Sequence, residues 1–139
     1  MSSPIDIEQV YRPGKVLAEK YRVDRTLGVG GFGIVVAATH LQLEERVAIK
    51  ILLPDAAKNP AAAERFIREA KAAVRIRSEH VARVTDVGTF PPEDGMAATP
   101  YMVMEYLEGC DLSTLVKNRG PQMIGDVCEW IMQACEAIA

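Results

Sequence analysis

A glycine-rich segment that is followed seventeen residues later by a lysine constrains this chain more than any other feature. Residues 27–33 read LGVGGFG, and the lysine is Lys50, within VAIK at residues 47–50. The spacing G-x-G-x-x-G occurs in two unrelated nucleotide-binding folds, so the glycines alone do not identify the fold. On their own they are equally compatible with a tight β-hairpin. The residues that follow the last glycine distinguish these possibilities.

The segment after the glycines favours a strand over a helix. In a dinucleotide-binding βαβ unit the last glycine opens a helix, and an acidic residue follows about 20 residues later. Here residues 34–39 read IVVAAT, which is short and β-branched, and the charged residue downstream is a lysine. Strand, glycine turn, strand, turn and strand is the order in which protein kinases cover ATP. A dinucleotide-dependent oxidoreductase is therefore the less favoured interpretation.

The composition is that of an ordinary globular domain, with 49% hydrophobic and 25% charged residues in a chain of 139. These values exclude a disordered or collagen-like chain, and the length allows one domain at most. The net charge of −3 argues against a nucleic-acid-binding surface, which needs a basic patch. We therefore expect one globular domain without a nucleic-acid partner.

Three cysteines, Cys110, Cys128 and Cys135, have no C-x-x-C spacing and are odd in number. Free thiols in a reducing compartment are the simpler interpretation, and we expect the three to be packing residues. The N-terminus has no secretory signal pattern, and no apolar run approaches the ~20 residues that span a bilayer. These observations predict a cytoplasmic chain without a membrane segment.

Two segments that alternate apolar and polar residues, at 21–27 and 47–52, and further short segments rich in apolar or β-branched residues predict a sheet of five antiparallel strands. The period of two along a strand fixes which side chains share a face. The predicted strands are residues 21–27, 34–39, 47–52, 81–88 and 101–104. In the third strand, the alternation places Ala48 and Lys50 on one face. Residues 1–20 have no sustained period and are expected to be a loosely held leader, and residues 90–100 a surface loop.

Asn59 and Pro60 read as the N-cap and first residue of the principal helix, which we expect to span residues 61–77. Helical spacing puts Glu69 in the middle of its apolar stripe, which consists of Ala62, Phe66, Glu69, Ala73 and Ile76. Two more helices are predicted, one capped by Asp111 and one after Gly120. The predicted fold class is α+β, a five-stranded sheet with one principal helix and a helical appendage.

Lys50 lies within an apolar strand, where its ammonium loses solvation unless it finds a partner. It can reach water along its aliphatic stem, or it can pair with a carboxylate. Glu69 is the inward-facing candidate, although a surface pair between Glu69 and Arg65 is the commoner arrangement for a helical glutamate. We favour the Lys50–Glu69 pair.

From residue 21 to residue 139 the sequence resembles the eukaryotic-like serine/threonine protein kinases of bacteria. The resemblance rests on the glycine segment, on VAIK, and on MEYLEG at residues 104–109. It implies a small lobe at 21–104, a hinge at 105–110 and the truncated start of a large lobe at 111–139, after a leader at 1–20. Ser78 and Glu79 stand where the family commonly has His-Pro, which leaves the turn at that position open.

The resemblance also implies an ATP site. Its members are Leu27, Gly28, Gly30, Gly31, Phe32, Gly33, Val35, Ala48, Lys50, Met104, Glu105, Leu107 and Asp111. By this resemblance the glycine segment and Lys50 hold phosphates, with Glu69 positioning Lys50. Met104 closes the back of the adenine pocket, the backbone at Glu105 and Leu107 binds adenine, and Asp111 contacts ribose. Asp111 is equally explained as a helix N-cap, and both roles are compatible.

The motifs H-R-D, D-F-G and A-P-E do not occur in these 139 residues. In kinases they supply the catalytic aspartate and the ligands of Mg²⁺. The complete kinase is expected to use Mg²⁺, but its ligands are not in this chain, and no metal-binding residue is predicted here. We expect the ATP-binding part of a serine/threonine protein kinase that is inactive by itself. The alternative is a non-catalytic, pseudokinase-like nucleotide-binding or interaction module.

Overall fold

A computed structural model describes residues 5–93 and 96–139 as a six-stranded antiparallel sheet with five helices. The strands are β1 (Val16–Leu17), β2 (Tyr21–Val29), β3 (Gly33–His40), β4 (Arg46–Leu52), β5 (Val84–Phe90) and β6 (Thr99–Glu105). The helices are α1 (Ile7–Val10), α2 (Pro54–Ala57), α3 (Pro60–Arg75), α4 (Leu112–Arg119) and α5 (Ile124–Ile138). The strand order is β1-β2-β3-β4-β6-β5. The predicted α+β class is confirmed, with one strand more than expected.

The strand register defines one face of the sheet that carries the predicted site. Lys50 lies opposite Val35, and Ala48 lies opposite Ala37 on one side and Met104 on the other. Residues directly opposite each other in antiparallel strands project from the same face. Lys50, Ala48, Val35, Ala37 and Met104 therefore share what we call the lysine face, as the alternation in β4 predicts.

The opposite face of the sheet carries the main hydrophobic core. Its six largest fully buried side chains are Val23, Ile34, Val36, Ile49, Ile51 and Val103. All are β-branched, which suits the pleated surface of a strand. This core fixes the curvature and register of β2, β3 and β4, and thereby the position of every side chain on the lysine face.

Part of the predicted leader belongs to this core, contrary to the expectation of a loosely held segment. Tyr11 and Leu17 are only 3% and 4% exposed and pack within the core cluster. Val23 anchors the segment, since its carbonyl accepts from the Gly14 N–H and its N–H donates to the Lys15 carbonyl, both at 2.8 Å. These contacts are non-local, so no period in residues 1–20 could indicate them.

The principal helix begins as predicted and ends two residues early. The Asn59 side chain accepts a hydrogen bond from the Ala61 N–H at 3.0 Å, and Pro60 is the first helical residue. Phe66 and Ala70 are the buried residues of α3, and they pack with Leu52 and Met102. The helix therefore covers the lysine face at the end of β4.

Two of the predicted strand boundaries are corrected. β5 begins at Val84 and not at residue 81, because residues 78–81 form a turn in which the Ser78 hydroxyl accepts from the His80 N–H at 3.1 Å. Ser78 thus supplies a turn at the position where the sequence departs from the family pattern. β6 begins at Thr99, which shortens the predicted loop, and residues 94–95 of that loop lie outside the described residues.

The helical appendage has no buried residue in either α4 or α5. The apolar residues Val127, Ile131, Met132 and Ile138 of α5 are all exposed. Cys110, Cys128 and Cys135 are free and exposed, so the expectation that they pack in a core is wrong for this chain. In the part of the chain that the structure describes, no helix is long and apolar enough to cross a bilayer.

We expect the isolated chain to associate through this uncovered apolar surface, because contiguous exposed apolar patches drive association. Size-exclusion chromatography with light scattering should show oligomers that dissociate on dilution. The variant Ile131→Gln should shift the distribution toward monomer, whereas Glu129→Gln, on the same helix, should leave it unchanged. A sharp monomer peak for the parent chain at high concentration would contradict this expectation.

Candidate nucleotide-binding site

The glycine turn connects β2 to β3 and leaves two backbone donors unused. The Gly30 N–H donates to the Gly33 carbonyl at 2.8 Å, and the Leu53 N–H donates to the Phe32 carbonyl at 2.8 Å. Within the described residues, the N–H groups of Gly31 and Phe32 make no hydrogen bond. Phe32 itself is 70% exposed. Free N–H groups in a turn are what an anion such as a phosphate requires.

Gly33 is held close to the neighbouring strand. A Cβ at this position would lie 2.9 Å from the Ile51 carbonyl oxygen and 3.8 Å from Cε of Lys50. At Gly31 an added Cβ would meet nothing within 4 Å. The glycine at 33 is therefore required by close packing against β4, whereas the surroundings of residue 31 leave room for a Cβ.

Replacing Gly33 by alanine should destabilise the fold, because the contact partner is a backbone carbonyl that cannot rotate away. Overpacking of this kind costs about 1–3 kcal/mol in the free energy of unfolding. Gly31→Ala is the matched control and should cost far less. Urea denaturation followed by circular dichroism measures both. Equal stability of the two variants would show that β4 yields to the extra methyl group.

A small-residue slot lies in the middle of the lysine face. Ala48 is 6% exposed and has Ala37 and Met104 on either side. The Val35 side chain is half-buried in the next row toward the glycine turn, opposite Lys50. A register shift between Thr26 and Gly28 leaves Leu27 without a direct partner, and its side chain is exposed. The slot offers a flat apolar surface beside a cation.

At the end of β6, Glu105 is held by hydrogen bonds, whereas the backbone of Leu107 is open to a ligand. Glu105 is anchored, because its N–H donates to the Arg83 carbonyl at 2.8 Å and its Oε1 accepts from the Arg83 N–H at 2.9 Å. Leu107 is 63% exposed, and in residues 5–93 and 96–139 its backbone has no hydrogen-bond partner. Its donor and acceptor are thus open at the edge of the slot.

Asp111 caps helix α4. Its Oδ1 accepts a hydrogen bond from the Thr114 backbone N–H at 2.6 Å. This hydrogen bond lowers the pKa of the Asp111 carboxyl below its usual value. The side chain is exposed and ionised at neutral pH, and its second oxygen can still accept from a ligand hydroxyl.

The expected inward position of Glu69 is wrong for this structure. Glu69 is exposed, and no ion pair within 4 Å joins it to Lys50 or to Arg65 among the described residues. The reason is the orientation of α3, which buries Phe66 and Ala70. Glu69 is about 100° around the helix from Ala70 and so lies at the edge of the packed face.

Lys50 and Glu69 nevertheless face the same space. A cavity of about 150 Å³ is lined by Phe32, Lys50, Leu52, Ala62, Arg65, Phe66 and Glu69. It lies between the glycine turn, β4 and α3. Lys50 and Glu69 thus line one cavity without an ion pair within 4 Å, and the Lys50 side chain is half-buried.

The protein kinase domain profile matches residues 21–139. The chain belongs to the protein kinase family. It is 35% identical over 122 residues to the serine/threonine-protein kinase PknB of Mycobacterium tuberculosis, covering 88% of this chain and 19% of that protein. It is also 35% identical over 123 residues to a probable serine/threonine-protein kinase PknB of Corynebacterium glutamicum, with 88% and 19% coverage.

The fold matches solved kinase domains. The crystal structure of the Mycobacterium tuberculosis PknI kinase domain superposes with a TM-score of 0.74 at 29% sequence identity, covering 91% of this chain and 48% of that one. This chain thus spans about half the length of a solved kinase domain and about a fifth of the length of the curated relatives that it matches. The resemblance read from the sequence is confirmed at the level of family and fold.

Proposed function

We propose that this chain is the ATP-binding part of a serine/threonine protein kinase. The observation that carries the proposal is the lysine face, where Lys50 lies beside the Ala48 slot and beneath a turn with two unused N–H donors. These donors and the Lys50 ammonium suit a polyphosphate, and the slot suits a flat apolar ring. The donor set therefore fits ATP.

Each group has a distinct role in this proposal. The N–H groups of Gly31 and Phe32 and the Lys50 ammonium bind phosphate oxygens, and exposed Phe32 shields them from water. The free backbone donor and acceptor of Leu107 orient the adenine ring at the edge of the slot. ATP supplies the phosphoryl group, and this chain's residues bind and orient it.

The residues that hold Mg²⁺ in kinases belong to the catalytic loop and the D-F-G motif, neither of which occurs in these 139 residues. Phosphorylation of serine or threonine on proteins is proposed for the longer kinase to which this segment corresponds. The three exposed free cysteines support a reducing, cytoplasmic compartment for it.

Thermal unfolding with ATP and with NAD tests the proposal. At a ligand concentration roughly 100 times Kd, binding to the native state stabilises it by about 2.7 kcal/mol, which raises Tm by about 10 °C. We expect this for ATP and not for NAD at equal concentration. Adenosine should give a smaller shift, since it lacks the phosphates. An equal or larger shift with NAD would favour a dinucleotide site and overturn the proposal.

A non-catalytic nucleotide-binding or interaction module is the second candidate, because the groups on the lysine face can bind a nucleotide without a catalytic aspartate. Both candidates predict the ATP shift, so another measurement must separate them. That measurement is the sequence of the complete gene product. An H-R-D motif followed by D-F-G within one protein with these residues identifies an active kinase, and their replacement identifies the non-catalytic module.

A further inference from the structure

Three arginines surround Tyr106 at the end of the lysine face that is remote from the glycine turn. Arg22 and Arg46 lie opposite Thr39 on its two sides, and Arg25 lies opposite Ala37. We call Arg22, Arg25 and Arg46 the arginine cluster. The cluster could not be predicted from the sequence, because its three residues are separated in the chain. They come together only through the register of β2, β3 and β4.

Tyr106 holds two of these guanidinium groups in place. Arg25 Nη2 donates to the Tyr106 hydroxyl at 2.7 Å, across a separation of 81 residues in sequence. The Arg46 guanidinium carbon lies 5.5 Å from the centre of the Tyr106 ring, a cation–π distance. Both contacts order the side chains without neutralising their charge. The groups are thus positioned before any ligand arrives, which lowers the entropic cost of binding.

The positive charge of the cluster is poorly compensated. Among the residues that line its cavity, Asp24 is the sole carboxylate. Asp24 accepts from the Thr39 hydroxyl at 2.7 Å and lies 3.7 Å from Arg22 Nε. Within the described residues, Arg25 and Arg46 have no carboxylate within 4 Å. A chain of net charge −3 therefore concentrates positive charge at this point.

We propose that the arginine cluster is an anion site for a phosphate group, either free phosphate or the phosphoryl group of a phosphorylated side chain. The cavity of about 430 Å³ has room for such a group. Guanidinium groups match phosphate oxygens through paired, charge-assisted hydrogen bonds. Arg25, at the Tyr106 hydroxyl, and Arg46, over the Tyr106 ring, supply the donors.

This site is distinct from the proposed ATP site. Val35, opposite Lys50, and Thr39, opposite Arg22 and Arg46, are four residues apart on β3, which is roughly 13 Å along a strand. The Ala48 slot lies between them. A phosphate in the cluster is therefore not a phosphate of the nucleotide, and its binding does not depend on the function proposed above.

The test uses the 139-residue chain with inorganic phosphate and with a short phosphoserine peptide as probes. Titrations are followed by the arginine Nε–Hε resonances in NMR spectra and by calorimetry. The variant with both Arg25→Gln and Arg46→Gln should lose at least tenfold in affinity for the tighter probe. The variant with both Arg68→Gln and Arg75→Gln, two exposed arginines of α3, is the charge-matched control, and Lys50→Met reports the ATP site. Both should leave unchanged the affinity read at the Arg22 Nε–Hε resonance, which reports the arginine cluster and not the glycine turn.

The outcomes separate clearly. Tighter binding of the peptide identifies a phosphorylated side chain, and tighter or equal binding of inorganic phosphate identifies the free ion. If the double variant does not fold, Tyr106→Phe tests the same site, since it removes the hydrogen bond to Arg25 and should weaken binding severalfold. Absence of binding to the parent chain, binding unaffected by the cluster variants, or binding lost only in Lys50→Met would overturn the proposal.

Discussion

Incubated with labelled ATP and a generic protein substrate, this 139-residue chain should transfer no phosphate above a boiled control. Phosphoryl transfer depends on positioning both substrates and on stabilising the charge of the transferred group. The chain contains the lysine face and the glycine turn, which can position only the nucleotide and not the protein substrate. It contains no H-R-D aspartate to orient the attacking hydroxyl and no D-F-G aspartate to hold a metal.

The expected loss in the rate of phosphoryl transfer is large, because the missing groups all stabilise the same transition state. A positioned general base alone contributes about 10²–10⁴-fold to a rate, and the metal ions add to it. Traces of a contaminating kinase are the main source of error, so Lys50→Met must be assayed in parallel. Transfer by the parent chain that disappears in Lys50→Met would contradict the prediction, whereas equal transfer by both indicates contamination.

The sequence predicted those parts of the fold that depend on local signals. The alternation of β4 put Ala48 and Lys50 on one face, and the Asn59–Pro60 pair marked the start of α3 correctly. The alternation and the helix N-cap are both local signals, since each depends only on residues that are close together in the sequence. The five strands were found for the same reason, although the bounds of β5 and β6 shifted with the turns that precede them.

The failures concern long-range contacts. Tyr11 and Leu17 are buried because β1 pairs with β2 and the leader closes the core, and neither contact has a periodic signature. Glu69 was assigned to the inner face of α3 because apolar residues recur around it. The face of a helix that becomes buried depends on what the helix packs against. Here α3 packs against Leu52 and Met102 of the sheet, and this contact buries Phe66 and Ala70. The meeting of Arg25 with Tyr106 is non-local in the same way.

The remaining prediction concerns the active form of a kinase that includes these residues together with the catalytic motifs of the family. We expect Lys50 and Glu69 to form a direct salt bridge there. In the present structure both side chains line one small cavity without forming an ion pair. A rotation or inward shift of α3 would bring Glu69 toward Lys50. Neither α4 nor α5 has a buried residue.

The function of the pair is to position the ammonium, so its loss should affect turnover more than stability. A buried ion pair contributes little net stability, because desolvation offsets the attraction. Lys50→Ala should reduce kcat/KM by roughly 10²–10³-fold, the scale for removing one preorganised charge from a transition state. Glu69→Gln should reduce it less, because Lys50 keeps its charge. Glu64→Gln, an exposed glutamate on the same helix, is the matched control and should have no effect.

The double variant decides whether the two residues act as a unit. If Glu69 acts only by positioning Lys50, then Glu69→Gln should have almost no further effect once Lys50 is alanine, and the double-mutant cycle should show strong coupling. Independent, additive losses would mean that Glu69 serves another group, such as Arg65 in the same cavity. A structure of the active, ATP-bound enzyme with Glu69 pointing to solvent would refute the pairing, since an exposed carboxylate cannot hold a half-buried ammonium against phosphate.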